Sequence, residues 1–173
     1  MPVYVALLRA INVGGAGTLL MSDLKALCEA AGLEDVRTYI QSGNVLLRTK
    51  LSRKDAARML GDALAERMGM APGVMLRTGE ELAAIAANNP FPEAKPNYLM
   101  VNFLSEPAPK DALDKMVAPD GEQAHLAGCE IYVHYPDGSG RSKLKLPALK
   151  LATARNLNTV RKLAELARQM EGG

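Results

Sequence analysis

The sequence predicts an α+β fold made of two ferredoxin-like (βαββαβ) halves. Its 173 residues, of which 48% are hydrophobic and 23% charged, can form a buried core. Short apolar runs that end at Gly, Asn or Pro alternate with stretches of helical periodicity, which indicates strands and helices in turn. The order of these elements is similar in both halves, although no residue-level repeat is visible. We expect the first half over residues 1–78 and the second over 79–173.

In the first half, the strands are short β-branched runs and the helices follow serine. Val3–Leu8 begins with β-branched and aromatic residues, which is typical of a buried strand. Ser22 and Ser52 precede the two helical stretches, and serine is a favourable N-cap. The predicted elements are strand Val3–Leu8, helix Ser22–Ala31, strand Val36–Ile40, strand Val45–Thr49, helix Ser52–Met68 and strand Pro72–Arg77.

The second half follows the same order but is less regular toward its end. We expect its last strand to be short or missing, and the chain to end with a helix over Leu157–Gln169. The other predicted elements are helix Glu80–Ala87, strand Asn97–Leu104, helix Pro109–Val117, a hairpin of Glu122–Leu126 with Glu130–His134, and a helical stretch Ser142–Lys150 broken by Pro147.

The composition excludes several classes of protein. No apolar stretch approaches the roughly 20 residues of a membrane helix, and the N-terminus lacks the features of a secretory signal. The two cysteines, Cys28 and Cys129, suit a reducing cytoplasm. His125 and His134 flank a hairpin turn without a further Cys or His cluster, so we expect no metal site and no cofactor.

The net charge of +2 conceals a division along the chain. Residues 1–140 contain 13 basic and 17 acidic residues, whereas residues 141–173 contain 8 basic and 2 acidic residues. Such asymmetry indicates an anionic partner at the basic end. A solvated basic face on terminal helices is the alternative interpretation.

The first two of four polar clusters lie at strand ends in the first half. The first cluster, Arg9–Gly15, is a glycine-rich turn whose N–H groups could face a phosphate, although it matches neither the dinucleotide fingerprint nor the P-loop. A plain turn is the alternative. The second cluster, Tyr39–Val45, contains a tight turn at Ser42-Gly43-Asn44, which leaves the polar Gln41 unexplained.

The other two clusters place basic residues at predicted helix starts. In the third cluster, Asp137–Lys143, Ser142 would cap a helix with Arg141 and Lys143 in its first turn. In the fourth, Ala152–Thr159, Thr153 or Asn156 would cap the last helix beside Arg155. Cations are unfavourable at a helix N-terminus, and a bound anion would resolve this conflict.

The four clusters resemble the recurring pattern of DUF 1697, a widespread bacterial family of unknown function. The matching segments are Leu8–Gly14, Tyr39–Val45, Gly140–Lys143 and Thr153–Asn156, followed by Asn158–Val160. The sequence departs from that pattern at Leu157, where the resemblance implies a tryptophan more often. The resemblance implies a two-part fold with ferredoxin-like halves and no particular reaction. It also favours one shared surface over four unrelated turns.

The leading hypothesis is a cytoplasmic anion-binding module that takes nucleic acid or a nucleotide-like phosphate in one polar cleft. The candidate ligand-binding residues are Arg9, Asn12, Gly14, Gln41, Ser42, Asn44, Arg141, Ser142, Lys143, Arg155 and Asn156. The chain has no Trp, two Phe and five Tyr, which argues against a base-stacking sheet surface and favours contact with the phosphate backbone.

Two alternatives belong to other classes of function. An enzyme acting on a small phosphorylated or carboxylated substrate could use Ser142 or His134, although no nucleophile elbow is present. A subunit that pairs with itself or with a partner through a sheet edge or a helical face is the third possibility.

Overall fold

Both halves of the chain form four-stranded antiparallel sheets with the ferredoxin-like strand order, as the sequence predicts. The structure is a computed structural model that describes residues 1–9, 20–39, 43–69 and 73–172. The chain divides into unit 1, Met1–Leu82 with Leu163–Gly173, and unit 2, Ala83–Lys162. The strand orders are β2-β3-β1-β4 and β6-β7-β5-β8.

The elements of the first sheet are close to their predicted bounds. They are β1 (Val3–Arg9), α1 (Met21–Ala30), β2 (Glu34–Tyr39), β3 (Asn44–Arg48), α2 (Arg53–Met68), β4 (Gly73–Arg77) and α3 (Gly79–Ala87). The Ser52 hydroxyl accepts the N–H of Asp55 at 3.2 Å, so the predicted N-cap of α2 is confirmed. Ser22 is not an N-cap, because α1 begins one residue earlier and Leu20 precedes it.

The second sheet has the same topology with shorter connections. Its elements are β5 (Leu99–Phe103), β6 (Gln123–Ala127), β7 (Glu130–His134), β8 (Thr153–Asn156) and α4 (Leu157–Gly172), with 3₁₀ turns at Pro96–Tyr98, Ser139–Arg141 and Pro147–Leu151. The last strand is short, at four residues, and a C-terminal helix follows it. No helix in the described parts of the chain combines the length and apolar character needed to cross a bilayer.

Two predicted helices of the second half are wrong. Over Pro109–Val117 the backbone makes successive turns, with N–H groups bonding three residues back, as from Ala112 to Pro109. These turns let Leu113 and Met116 pack on the core of unit 2. The predicted stretch Ser142–Lys150 is extended as far as Leu146 and then forms a 3₁₀ turn.

Backbone pairing explains why the second stretch is not an α-helix. Lys145 and Val117 exchange both of their backbone hydrogen bonds, at 2.8 and 2.9 Å. A helix would require the same N–H and C=O groups for its own ladder. Burial of Leu146 in the core of unit 2 then favours the extended form, because alternate side chains of an extended chain face inward.

The core of unit 1 contains residues from the sheet and from both α1 and α2. Leu24 and Cys28 of α1 are fully buried there together with Leu60 and Leu64 of α2. Burial, with a smaller effect from the neighbouring Glu29, raises the pKa of the Cys28 thiol to about 12. Cys28 is therefore a neutral core residue, in agreement with its place in the apolar helical pattern.

The raised pKa of Cys28 predicts a loss of stability in alkali. In the unfolded chain the thiol ionises near its usual pKa, while in the folded protein it stays neutral, so the free energy of unfolding falls as pH rises from about 9 toward 12. In urea unfolding across this range, Cys28→Ala should show a shallower decline than the wild type, with a loss of about 1 kcal/mol at neutral pH. Cys129→Ala should keep the wild-type slope, and equal slopes in all three proteins would contradict the assignment.

Candidate functional site

In unit 1, the register of the strands brings the described residues of the first two polar clusters to the same end of the sheet. Arg9 ends β1 and pairs with Gly73, the first residue of β4. Asn44 begins β3 and pairs with Leu7. Arg9 and Asn44 therefore lie on neighbouring strands. Among the other candidates of these clusters, Asn12, Gly14, Gln41 and Ser42 lie outside the described residues.

The described part of the second cluster has a structural explanation. Gly43 has a φ of +76°, and a Cβ at this position would lie 3.0 Å from the Cβ of Leu8. Both observations require glycine, as the predicted turn implies. Asn44 is in a strand rather than in the turn, and its fully buried side chain donates to the carbonyl of Tyr39 at 3.1 Å. Asn44 thus ties the two ends of the hairpin together.

In unit 2, the strands that lead into the third and fourth clusters, β7 and β8, finish at the same end of their sheet, which we call the Asn156 end. His134, the last residue of β7, pairs with Leu99, and Asn156, the last residue of β8, pairs with Met100. The 3₁₀ turn Pro96–Tyr98 leads into β5 at this end. The third cluster begins three residues after β7, at this same end of the sheet.

The turn before β5 contacts the start of the third cluster. The N–H of Tyr135 donates to the carbonyl of Tyr98 at 2.9 Å. Gly138 faces the ring of Tyr98, because a Cβ on this glycine would lie 3.4 Å from the ring. The loop that carries Arg141, Ser142 and Lys143 is therefore anchored on Tyr98.

Ser142 holds this loop through its hydroxyl instead of capping a helix. Its Oγ donates to Glu122 Oε2 at 2.5 Å and accepts the N–H of Leu144 at 3.1 Å. The other oxygen of Glu122 accepts the N–H of Asp120 at 2.8 Å. Asp120, Glu122, Ser142 and Arg141 are among the residues that line a pocket of about 20 Å³, which has room for about one water molecule. The pocket is thus too small to hold a phosphate group.

Glu122 is the partner of the predicted site residue Ser142, and the sequence alone did not indicate it. The Ser142 hydroxyl holds the pKa of the Glu122 carboxyl below its usual value. Together with burial, the Glu122 charge raises the pKa of Tyr135. Twenty residues separate Glu122 from Ser142. No local spacing could have revealed this pair, because only the folding of the hairpin and the loop brings it together.

Arg155 is buried at the start of the last helix. Only 6% of its surface is exposed, and its Nη1 donates to the Thr153 hydroxyl at 2.6 Å and to the Ala154 carbonyl at 2.9 Å. Burial lowers the pKa of Arg155 to about 10, because desolvation disfavours the charged form. Asn156 caps α4 by accepting the N–H of Thr159 at 2.9 Å, which confirms one of the two predicted caps.

Unit 1 carries an equivalent of this junction, which the sequence analysis did not find. Arg77 on β4 pairs with Val5, the third residue of β1, just as Arg155 on β8 pairs with Val101, the third residue of β5. Arg77 is 7% exposed and also donates to the carbonyl of its preceding residue, at 3.0 Å. The signal in the sequence is an arginine followed by a capping residue, but it is visible only when the two strand–helix junctions are aligned.

The two junctions differ in their acidic residues. Thr78 follows Arg77 and forms a capping box with Glu81: Thr78 Oγ1 accepts the Glu81 N–H at 3.1 Å, and Glu81 Oε1 accepts the Thr78 N–H at 2.8 Å. Glu81 also pairs with Arg53 at 2.8 Å. The first turn of α4 contains no acidic residue, and Thr159 occupies the position that corresponds to Glu81.

A larger groove than the pocket at Ser142 lies elsewhere, in unit 1. It measures about 670 Å³ and lies between α1 and α2, lined mainly by alanine with Asp23, Glu66 and Arg67. None of the predicted site residues that the structure describes belongs to this groove. In the same described residues, no group of three or more His, Cys, Asp or Glu side chains could hold a metal ion.

The lowered pKa of Glu122 predicts that its pairing with Ser142 is lost in acid. This contribution to the free energy of unfolding is present above the usual glutamate pKa and disappears as pH falls through the lower folded value. Glu122→Gln should therefore be less stable than the wild type at neutral pH, with a smaller further decline below about pH 5 in urea unfolding. Glu106→Gln, at an exposed position of unit 2, is the control. A Glu122→Gln variant with the acid dependence of the wild type would refute this role.

Comparison with known proteins identifies the family of the chain. In structure, it is similar to the conserved bacterial protein SP0830 from Streptococcus pneumoniae, with a TM-score of 0.79 and 23% sequence identity over 97% of this chain and 99% of that one. This likeness shows the fold. No curated protein matches the sequence. The family model described as "Protein of unknown function (DUF1697)" matches residues 1–132, and the chain therefore belongs to the DUF1697 family.

Proposed function

We propose that this protein is a cytoplasmic anion-binding module that takes a phosphate group, from nucleic acid or a nucleotide-like ligand, at the N-terminus of α4. The observation that carries the proposal is the contrast between two equivalent junctions. At the start of α3, the Glu81 carboxylate accepts a backbone N–H beside a strand that ends in the buried Arg77. At the start of α4, no acidic residue of the first turn plays this part beside Arg155.

The physical chemistry of this junction favours an anion. The first N–H groups of a helix have no partners within the helix, and the aligned peptide dipoles place partial positive charge there. A buried guanidinium adds a full positive charge in surroundings that screen it weakly. The phosphate of a ligand would thus take the place that the Glu81 carboxylate has in unit 1.

Arg141 and Lys143 increase the positive potential at the Asn156 end. Both are exposed in the loop that leaves β7 at this end of the sheet. Ser142 contributes indirectly, because its bonds to Glu122 and Leu144 hold the loop in place. We keep Arg9, Asn12, Gly14, Gln41, Ser42 and Asn44 as predicted ligand-binding residues of unit 1, to be tested by their own substitutions.

The cytoplasmic part of the proposal is supported by the cysteines. Cys28 and Cys129 are both free thiols, one buried and one half-buried. Free thiols of this kind suit a reducing compartment.

A carboxylate placed at the start of α4 should compete with the ligand. Thr159→Glu reproduces the position of Glu81 relative to its cap, so it should stabilise the free protein by about 0.5–1 kcal/mol. It should also weaken binding of pyrophosphate, measured by calorimetry, by at least about tenfold. Thr159→Gln is the uncharged control and should bind like the wild type. Unchanged pyrophosphate affinity in Thr159→Glu would overturn the proposal.

Substitution of the two buried arginines should distinguish an effect on anion binding from an effect on the stability of the free protein. Arg155→Met and Arg77→Met each remove the hydrogen bond that a buried guanidinium donates to the carbonyl of its preceding residue, so both should lower the melting temperature of the free protein. Pyrophosphate at about 100 times its Kd should stabilise the wild type and Arg77→Met by about 2.7 kcal/mol, and Arg155→Met by much less. Equal stabilisation of both variants would show that Arg155 does not bind the anion.

A further inference from the structure

A row of basic side chains begins at the end of the 3₁₀ turn Ser139–Arg141 and continues along the extended segment that follows this turn. Arg141, Lys143 and Lys145 are exposed, whereas Ser142 and Leu144 between them are half-buried. Alternate residues of an extended chain lie about 6.6 Å apart on one face, which is the spacing expected between Lys143 and Lys145, and Arg141 precedes them at the end of the 3₁₀ turn. No acidic side chain in the described parts of the chain forms an ion pair with any of the three.

The conformation of this row is set by the fold. Backbone bonds between Lys145 and Val117 hold its far end, and the bonds of Ser142 to Glu122 and Leu144 hold its near end. The backbone that carries the three charges is thus held in place before any partner binds, which lowers the entropic cost of binding a linear polyanion. A ligand with a single phosphate would contact only the near end of the row, beside Ser142.

Aromatic rings lie at the Asn156 end, close to where this loop begins. Tyr98 is half-buried and has the Lys95 ammonium 5.7 Å from its ring centroid. Phe91 and His134, also half-buried, have ring centroids 6.0 Å apart. The few aromatic residues of the chain disfavour stacking on the sheet face, and these rings lie at the end of the sheet instead. Unpaired bases can stack on such rings, whereas the bases of a duplex are already stacked on each other.

We propose that the ligand is a single strand of nucleic acid whose phosphates follow the row Arg141, Lys143 and Lys145, with a base against Tyr98. This inference rests on the proposed function, since it names the ligand class of the same anion site and extends that site by Lys145. A positive track combined with aromatic rings is the usual chemistry of single-strand binding. Binding should weaken steeply with salt, because each neutralised phosphate releases counterions.

The far end of the row gives the sharpest test. Binding of a labelled oligothymidine of about ten nucleotides is measured by fluorescence anisotropy across a salt series. Lys145→Glu should weaken binding at low salt by at least about fivefold and make the salt slope shallower by about 0.7. Its affinity for pyrophosphate should not change. Lys110→Glu, an exposed lysine of the same unit, makes the same charge change off the row and should retain most of the affinity for the oligonucleotide.

Two further measurements distinguish the ligand classes. Tyr98→Leu should weaken binding of the oligothymidine by about tenfold and leave binding of inorganic polyphosphate unchanged. A duplex of equal length should bind more weakly than the single strand. Equal effects of Lys145→Glu and Lys110→Glu, tighter binding of the duplex, or equal binding of polyphosphate and oligonucleotide would each overturn the inference. If pyrophosphate still binds in a manner sensitive to Thr159→Glu, the proposed function survives that result.

Discussion

Each unit depends on one central strand that pairs with an antiparallel neighbour on each of its two sides. β1 pairs with β3 and β4, and β5 pairs with β7 and β8. The side chain of every other residue in such a strand faces the core, so a shift of one residue would expose the whole apolar set. The register is therefore strongly specified, and it also decides which strand ends, and hence which polar clusters, lie side by side.

The polar clusters of the two units lie at opposite ends of sheets that have the same topology. In unit 1, the clusters lie where β1 ends and β3 begins, whereas in unit 2 they lie where β5 begins and β8 ends. The junction that corresponds to Arg155 and Asn156 is then Arg77 and Thr78, outside the clusters. There a glutamate of the chain satisfies the helix terminus. In unit 1 a carboxylate of the chain itself occupies the helix start. The start of α4 has a buried arginine and an uncharged cap instead, which makes it the stronger candidate for binding an anion.

Local sequence signals predicted the structure correctly where the residues of one element are enough to determine its conformation. The apolar run of β1, the serine cap of α2 and the glycine in the β2–β3 turn were all read correctly, because propensity and sterics act within a few residues. The signals failed over Pro109–Val117 and Ser142–Lys150. There the backbone pairing of Val117 with Lys145 and the burial of Leu146 outweighed helical periodicity.

The sequence by itself determined the α+β class, the ferredoxin-like order in both halves, the short last strand and the concentration of positive charge after residue 140. These follow from periodicity, turn residues and composition, which are local properties. Only the tertiary structure decided that Arg155 is buried, that Ser142 bonds to Glu122, and that Arg77 has the position equivalent to Arg155. Burial and pairing across tens of residues depend on strand register, and the register is a property of the folded sheet.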